Sequence, residues 1–151
     1  MASEKSTSLG LLLARLPLGL YFLLAGVGKI INVGVKNFVS EHLGLAKDIM
    51  PEALARAYLY AVPFAEVLVG LLVVIGFYTR PVAAVMALML ISFTIGTTGI
   101  AWNLGGGPPF NSNLILLGMA LLLALVGPGR YSIDGKVGGG RSRGALAKKS
   151  D

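Results

Sequence analysis

The chain has 151 residues, a net charge of +6, 55% hydrophobic residues and only 13% charged residues. Since a typical soluble domain carries about 25% charged residues, this composition excludes a water-soluble globule, a disordered chain and a coiled coil, and leaves a single-domain integral membrane protein. With no cysteine and one histidine, thiol chemistry and multi-histidine metal sites are excluded, and we expect no metal site. We also expect no nucleic-acid partner, because basic residues in so apolar a chain typically mark cytoplasmic loops.

Four stretches are apolar enough to be transmembrane helices, each of which needs about 20 residues. They cover residues of about 9–28, 57–78, 81–101 and 112–127. The sequence thus predicts an all-α membrane protein, a four-transmembrane-helix bundle over residues 1–134. A basic, glycine-rich tail over 135–151 follows, and we expect it to be disordered.

The segment between the first two predicted spans, residues 30–56, is long for a connection. Apolar residues recur in it at roughly helical spacing with charged residues between them, which predicts an amphipathic helix on the membrane surface. Pro51 ends this predicted helix. His42 lies on it, and we interpret this histidine as a surface or interfacial residue rather than a functional one, because no second metal ligand neighbours it.

The basic residues predict the orientation of the bundle. With four spans, the N-terminus, the loop between spans two and three and the C-terminal tail lie on one side, and they hold eight lysines and arginines. The other side holds four, all between spans one and two. Because basic residues concentrate in cytoplasmic loops, we expect both termini to be cytoplasmic.

Arg15 and Glu66 lie inside predicted spans, where a charge costs roughly 2.5–3.5 kcal/mol at the helix centre. Two interpretations stay open: an ion pair that locks helices together, or a site for substrate, proton or cofactor. Side chains lean toward the N-terminus of their helix, so Glu66 leans outward and Lys29, at the outer end of span one, leans back toward it. We therefore predict a Lys29–Glu66 pair and, for Arg15, an inner contact with Asp134 or with phospholipid.

More polar residues gather in the outer half of the predicted bundle. Together with Lys29 and Glu66 they predict one outward-opening pocket for a quinone or another small molecule. The residues added are Thr94, Thr97 and Thr98 at the end of span three and Asn103, Asn111 and Asn113 around the start of span four. The alternative is that the threonines, Thr94 and Thr98 included, bond back to their own helix while the asparagines cap span four.

Three sets of residues resemble the DoxX family of small membrane proteins. They are Arg15-Leu-x-Leu-Gly19-x-x-Phe22-x-x-x-Gly26-x-x-Lys29; Glu66-x-x-x-Gly70 with Gly76-x-x-x-Arg80; and Gly127-Pro128-Gly129-Arg130-Tyr131-Ser132-Ile133-Asp134. The resemblance implies a four-helix bundle in a bacterial or archaeal cytoplasmic membrane, associated with quinone-linked redox chemistry. It draws attention to five positions: Arg15, Lys29, Glu66, Arg130 and Asp134. We assign structural polar roles to Arg15, Arg80, Arg130 and Asp134.

Two functions follow as hypotheses, and whether the chain is an enzyme stays open. In the first, the chain is a membrane redox subunit in which Lys29 or an asparagine donates to a quinone carbonyl and Glu66 relays protons as the catalytic residue. No cofactor is expected to be tightly bound, so electrons come from a partner or from a small reductant. In the second, it is a non-catalytic accessory or assembly subunit of a larger membrane complex. Both imply the lipid bilayer and other membrane protein subunits as partners.

Overall fold

A computed structural model of the chain describes residues 2–98 and 112–137, and all regular structure in these residues is helical. A π-helical segment, Lys29–Val33, continues the first helix, and a short helical turn covers 133–137. The α-helices are α1 (Ala2–Gly28), α2 (Val35–Lys47), α3 (Glu52–Ile75), α4 (Thr79–Thr98) and α5 (Ser112–Val126). The rest of the predicted tail, 138–151, lies outside the described residues.

Two helices in the described part of the chain are long and apolar enough to cross a membrane: Glu4–Val33 and Glu52–Ile75. The shorter apolar helices are Thr79–Ile95 and Asn113–Val126. All four expose large apolar side chains, as Leu24 (67% exposed), Leu68 (58%), Leu88 (67%) and Leu125 (77%) illustrate. An apolar surface spread over so many helices is unlike that of a soluble protein and suits contact with lipid.

Helices α1 and α3 pack antiparallel with their backbones in close contact. A Cβ atom added at Gly70 would lie 2.5 Å from the backbone nitrogen of Leu23, and one added at Gly26 would lie 2.6 Å from the carbonyl oxygen of Pro63. A Cβ atom added at Gly19 would lie 2.7 Å from the Val74 Cγ2 atom and 3.0 Å from the carbonyl oxygen of Gly70. Small residues allow such close approach between membrane helices. This seam fixes the register of α1 against α3, and therefore which charged residues can meet.

The buried apolar side chains form two clusters. The larger one joins α1, α3, α4 and α5 around Phe22, Val73, Met86 and Leu123. The smaller one joins α2 to the N-terminal half of α3 and consists of Phe38, Val39, Leu43, Ala55, Leu59 and Val62. The helix predicted within 30–56 is thus present as α2.

Helix α2 does not present its whole apolar face to the membrane surface. Phe38 and Leu43 are buried against the protein, whereas Leu45 is about half exposed (50%), as is Ile49 (53%) in the turn after α2. Gly34, with a φ of 80°, separates the π-helical segment from α2 and allows the change of direction that brings α2 onto α3. As a result, α2 covers one end of the bundle.

Candidate functional site

Lys29 and Glu66 form the ion pair that the sequence predicts. The Lys29 Nζ atom donates to Glu66 Oε1. Glu66 lies in the middle of α3 with only 2% of its side chain exposed, and Lys29 begins the π-helical segment. The two meet because Gly26, one turn before Lys29, lets α1 approach α3 until its own Cβ position would be 2.9 Å from the Glu66 Cβ atom.

Two aromatic rings complete the surroundings of the Lys29 ammonium group. Its Nζ atom lies 5.3 Å from the centre of the Phe38 ring on α2 and 5.4 Å from that of Phe93 on α4. A cation at this distance from a ring face is attracted by the electron density of the ring. The ammonium group is therefore held from three sides, by α3, α2 and α4.

The ion pair lines a cavity of about 320 Å³. Helices α1 to α4 and the first turn of α5 all contribute to its wall, which is mostly apolar. Its lining includes Tyr21, Phe22, Lys29, Phe38, His42, Leu45, Met50, Tyr58, Leu59, Glu66, Leu90, Ser92, Phe93, Ile95 and Asn113. A concave, apolar and aromatic cavity with a few convergent polar groups is typical of a small-molecule site.

The polar cavity, as we call this lined volume, brings together three of the eight residues predicted for the pocket: Lys29, Glu66 and Asn113. Thr97 and Thr98 belong to α4, but their side chains are not among those described, and Asn103 and Asn111 lie outside the described residues. Thr94 donates from Oγ1 to the carbonyl oxygen of Leu90 at 2.8 Å. For Thr94, the bond to its own helix is therefore confirmed.

Sequence reasoning missed three polar residues of the cavity: Tyr58, Ser92 and His42. Ser92 Oγ donates to the carbonyl oxygen of Met89 at 2.8 Å, so the Tyr58 hydroxyl donates in the bond that joins it to Ser92. His42 Nδ1 bonds the carbonyl oxygen of Phe38 at 2.9 Å and must be the donor there. Tyr58 stands two helical turns before Glu66 on the same face of α3, a spacing that the sequence does display.

Arg15 lies midway along α1, at the end of the bundle away from the cavity, and Asp134 is close enough to interact with its charge, but the predicted direct bond to Asp134 is not formed. The Arg15 side chain is only 3% exposed, which excludes a bond to phospholipid. Its guanidinium group donates to two backbone carbonyl oxygens, Nη1 to Pro128 at 3.3 Å and Nη2 to Tyr131 at 2.6 Å, rather than to Asp134. We call this arrangement of Arg15 with residues 127–132 the Arg15 cap.

Asp134 instead caps a helix. Its carboxylate accepts hydrogen bonds from the backbone nitrogens of Tyr78 and Thr79, at 2.9 and 2.8 Å, where α4 begins. Unpaired N–H groups and the positive end of the helix dipole favour a carboxylate at this position. Its own backbone nitrogen donates to the carbonyl oxygen of Gly76, which ends α3 with a φ of 72°. Asp134 therefore ties the chain after α5 to the turn between α3 and α4.

The two remaining residues assigned structural roles, Arg80 and Arg130, lie at the same end. Arg80 donates to the carbonyl oxygen of Val126 at 3.2 Å, at the last residue of α5. Arg130 forms an exposed ion pair with Glu4 at 3.5 Å. Within the described residues, no group of three histidine, cysteine or acidic side chains is placed to hold a metal ion.

The apolar helices and the polar cavity define a helical membrane protein with a cavity near one end of the bundle. The chain belongs to the DoxX family, whose sequence model matches residues 10–100. It is 34% identical to the inner membrane protein YphA of Escherichia coli (strain K12), over 82% of this chain and 87% of that protein. It is 33% identical to the inner membrane protein YqjF of the same organism, over 87% and 94%. No solved structure matches the chain.

The family match contains both charged positions that the structure brings together. Lys29 and Glu66 lie within residues 10–100, as does the 30–56 segment that supplies α2. Arg130 and Asp134 follow the matched region. The ion pair and the helix that covers it thus lie within the part of the chain that the family model matches.

Proposed function

We propose that the chain is a four-span protein of the cytoplasmic membrane, with both termini cytoplasmic, that binds a quinone-class ring in the polar cavity near the outer surface. The apolar character of α4 and α5 and their exposed leucines support four spans. The excess of basic residues in the N-terminal segment, the α3–α4 turn and the tail supports the orientation. A ring ligand of this class also fits the membrane location of the family.

One observation carries this proposal: a buried ion pair lines a cavity whose other walls are aromatic and aliphatic. A volume of about 320 Å³ is at the lower end of the range for ligand sites and suits a single substituted ring. Tyr21, Phe22 and Phe93 offer apolar surface for the ring. An ammonium group has three N–H donors, and Glu66 uses one of them, so Lys29 keeps donors for a ring oxygen.

Each charged residue then has a distinct task. A bound quinone supplies an acceptor of two electrons and two protons. Lys29 orients the ring by donating to one of its oxygens, and Glu66 gives or takes a proton at its carboxylate while Lys29 balances the charge. The apolar wall excludes water from this exchange. Electrons come from a partner subunit or a small reductant.

The experiment is to purify the protein in mild detergent from quinone-containing bacterial membranes and to measure the quinone retained per protein. The variant K29M should retain at most about a tenth of the quinone that the wild type retains, because it loses a charge-assisted hydrogen bond. The matched control is K36M, since Lys36 is exposed on α2 and does not line the cavity. A wild-type protein without quinone, or a K29M variant with as much as wild type, contradicts the proposal.

The substitution E66Q separates this function from that of an accessory or assembly subunit. It keeps the shape of the side chain and removes its ability to carry a proton at neutral pH. A redox role predicts loss of quinone-linked activity with normal accumulation in the membrane. Poor accumulation or a changed complex, with no quinone-linked activity in the wild type, points to assembly instead.

A further inference from the structure

One carboxylate oxygen in the polar cavity has no partner. Glu66 Oε1 accepts from Lys29, but Oε2 is buried and no hydrogen-bond donor among the described residues reaches it. An ionised carboxylate is an acceptor only, and a buried acceptor without a donor is costly. Oε2 therefore lacks a hydrogen-bond donor within the described part of the chain.

The position of this oxygen separates it from other unpartnered atoms. Arg15 Nε and Thr79 Oγ1 are also buried without a partner among the described residues, but neither residue lines the cavity. Glu66 does line it. Among the described residues, Glu66 is thus the one place where an unpartnered polar atom coincides with space for a ligand.

The neighbouring hydroxyl and imidazole donors are already engaged elsewhere. The Tyr58 hydroxyl donates to Ser92, and Ser92 donates to the carbonyl oxygen of Met89. His42 uses Nδ1 on the carbonyl oxygen of Phe38. Among the described residues, none of these hydroxyl and imidazole donors is available to Oε2, and a ligand that carries a donor can supply this contact.

A hydroxyl group matches the ion pair better than a carbonyl does. A hydroxyl donates its proton to Glu66 Oε2 and accepts from Lys29 Nζ with its lone pairs. A quinone carbonyl accepts from Lys29 only and leaves Oε2 unpaired. We infer that the polar cavity binds the hydroxylated, reduced form of its ring ligand in preference to the quinone form, a specificity that rests on the proposed function.

The test compares three rings of similar size on the purified full-length protein under anaerobic conditions, by calorimetry. The probes are tetramethylhydroquinone, tetramethylbenzoquinone and the dimethyl ether of the hydroquinone. The hydroquinone should bind about ten- to a hundredfold more tightly than either of the others, the ratio expected when a buried acceptor is left unpaired. Equal or tighter binding of the quinone overturns the inference and leaves the proposed function standing, whereas binding of none of the rings contradicts the proposed function itself.

A pair of variants assigns the preference to one oxygen. In E66Q the side-chain amide can turn its N–H toward a carbonyl. The hydroquinone and the quinone should then bind about equally tightly, or the quinone more tightly. The control is E52Q, in the same helix, because Glu52 is exposed and does not line the cavity. An unchanged preference in E66Q would overturn the assignment. The comparison of probes on the wild type needs neither variant, so the inference stays testable if E66Q fails to fold.

Discussion

Arg15 and Glu66 are both buried charges on the packed helices α1 and α3, yet the contacts around them at the two ends of the bundle differ. Arg15 is 3% exposed and bonded to two backbone carbonyl oxygens of the chain after α5. Glu66 is 2% exposed, bonded through one oxygen to Lys29, and borders a cavity. Each residue keeps one buried atom without a partner among the described residues, Arg15 Nε and Glu66 Oε2, but of the two residues Glu66 alone lines the cavity.

The difference follows from what covers each end. Residues 127–134 fold over the Arg15 end and present carbonyl groups, which are fixed by the backbone and satisfy a guanidinium group well. Helix α2 covers the other end with side chains such as Phe38 and His42. A helix has no spare backbone donors along its sides, because its own hydrogen bonds use them. The backbone cover thus supplies acceptors to two of the Arg15 nitrogens, whereas the helical cover supplies no donor to Glu66 Oε2 among the described residues.

The largest effect is expected for Arg15→Met, which tests whether the Arg15 cap is structural. The change removes the two hydrogen bonds from the guanidinium group to the carbonyl oxygens of Pro128 and Tyr131, and hydrogen bonds to a charged group contribute about 1.5–3 kcal/mol each. The free energy of unfolding in detergent should fall accordingly, while ring binding in the polar cavity should stay at the wild-type level. Thermal or denaturant unfolding measures the first, and calorimetry the second.

The control for this variant is Arg56→Met, since Arg56 is an exposed arginine on α3 that pairs with Glu52. An exposed ion pair contributes at most about 1 kcal/mol, so this control should unfold nearly as the wild type does. If Arg15→Met is as stable as the control, the cap does not hold the bundle together.

The second prediction has the opposite sign and concerns the other end. Replacing both members of the buried pair, K29M with E66L, removes the cost of keeping two charges away from water. Such replacements are often neutral or stabilising, by about 1–4 kcal/mol. We expect the double variant to unfold at the wild-type free energy or above it and to bind no ring ligand.

The single variants supply the control for that prediction. K29M alone leaves the Glu66 carboxylate buried without its counter-ion, which should destabilise the protein by about 3–5 kcal/mol. If the double variant is as unstable as K29M, the pair serves to hold the helices together, and the distinction between the two ends is wrong.

The sequence was sufficient for features that depend on local geometry. The lean of helical side chains predicted the Lys29–Glu66 pair, and apolar spacing predicted α2. The partners of Arg15 were missed because carbonyl groups belong to every residue and leave no sequence signal. Tyr58 and Ser92 were missed as cavity residues because their meeting depends on how α4 packs against α3, which single-helix spacing does not determine.

The smallest effect is expected for Arg130→Gln, which sharpens the comparison within the Arg15 end. Arg130 and Glu4 are 68% and 73% exposed and 3.5 Å apart, so water and salt screen their attraction. We expect a loss of less than about 1 kcal/mol in the free energy of unfolding, and none at high salt. Two arginines at one end of the bundle would then differ severalfold in effect because of burial alone. A large loss that persists at high salt would instead mean that the exposed pair helps to hold residues 127–134 over Arg15.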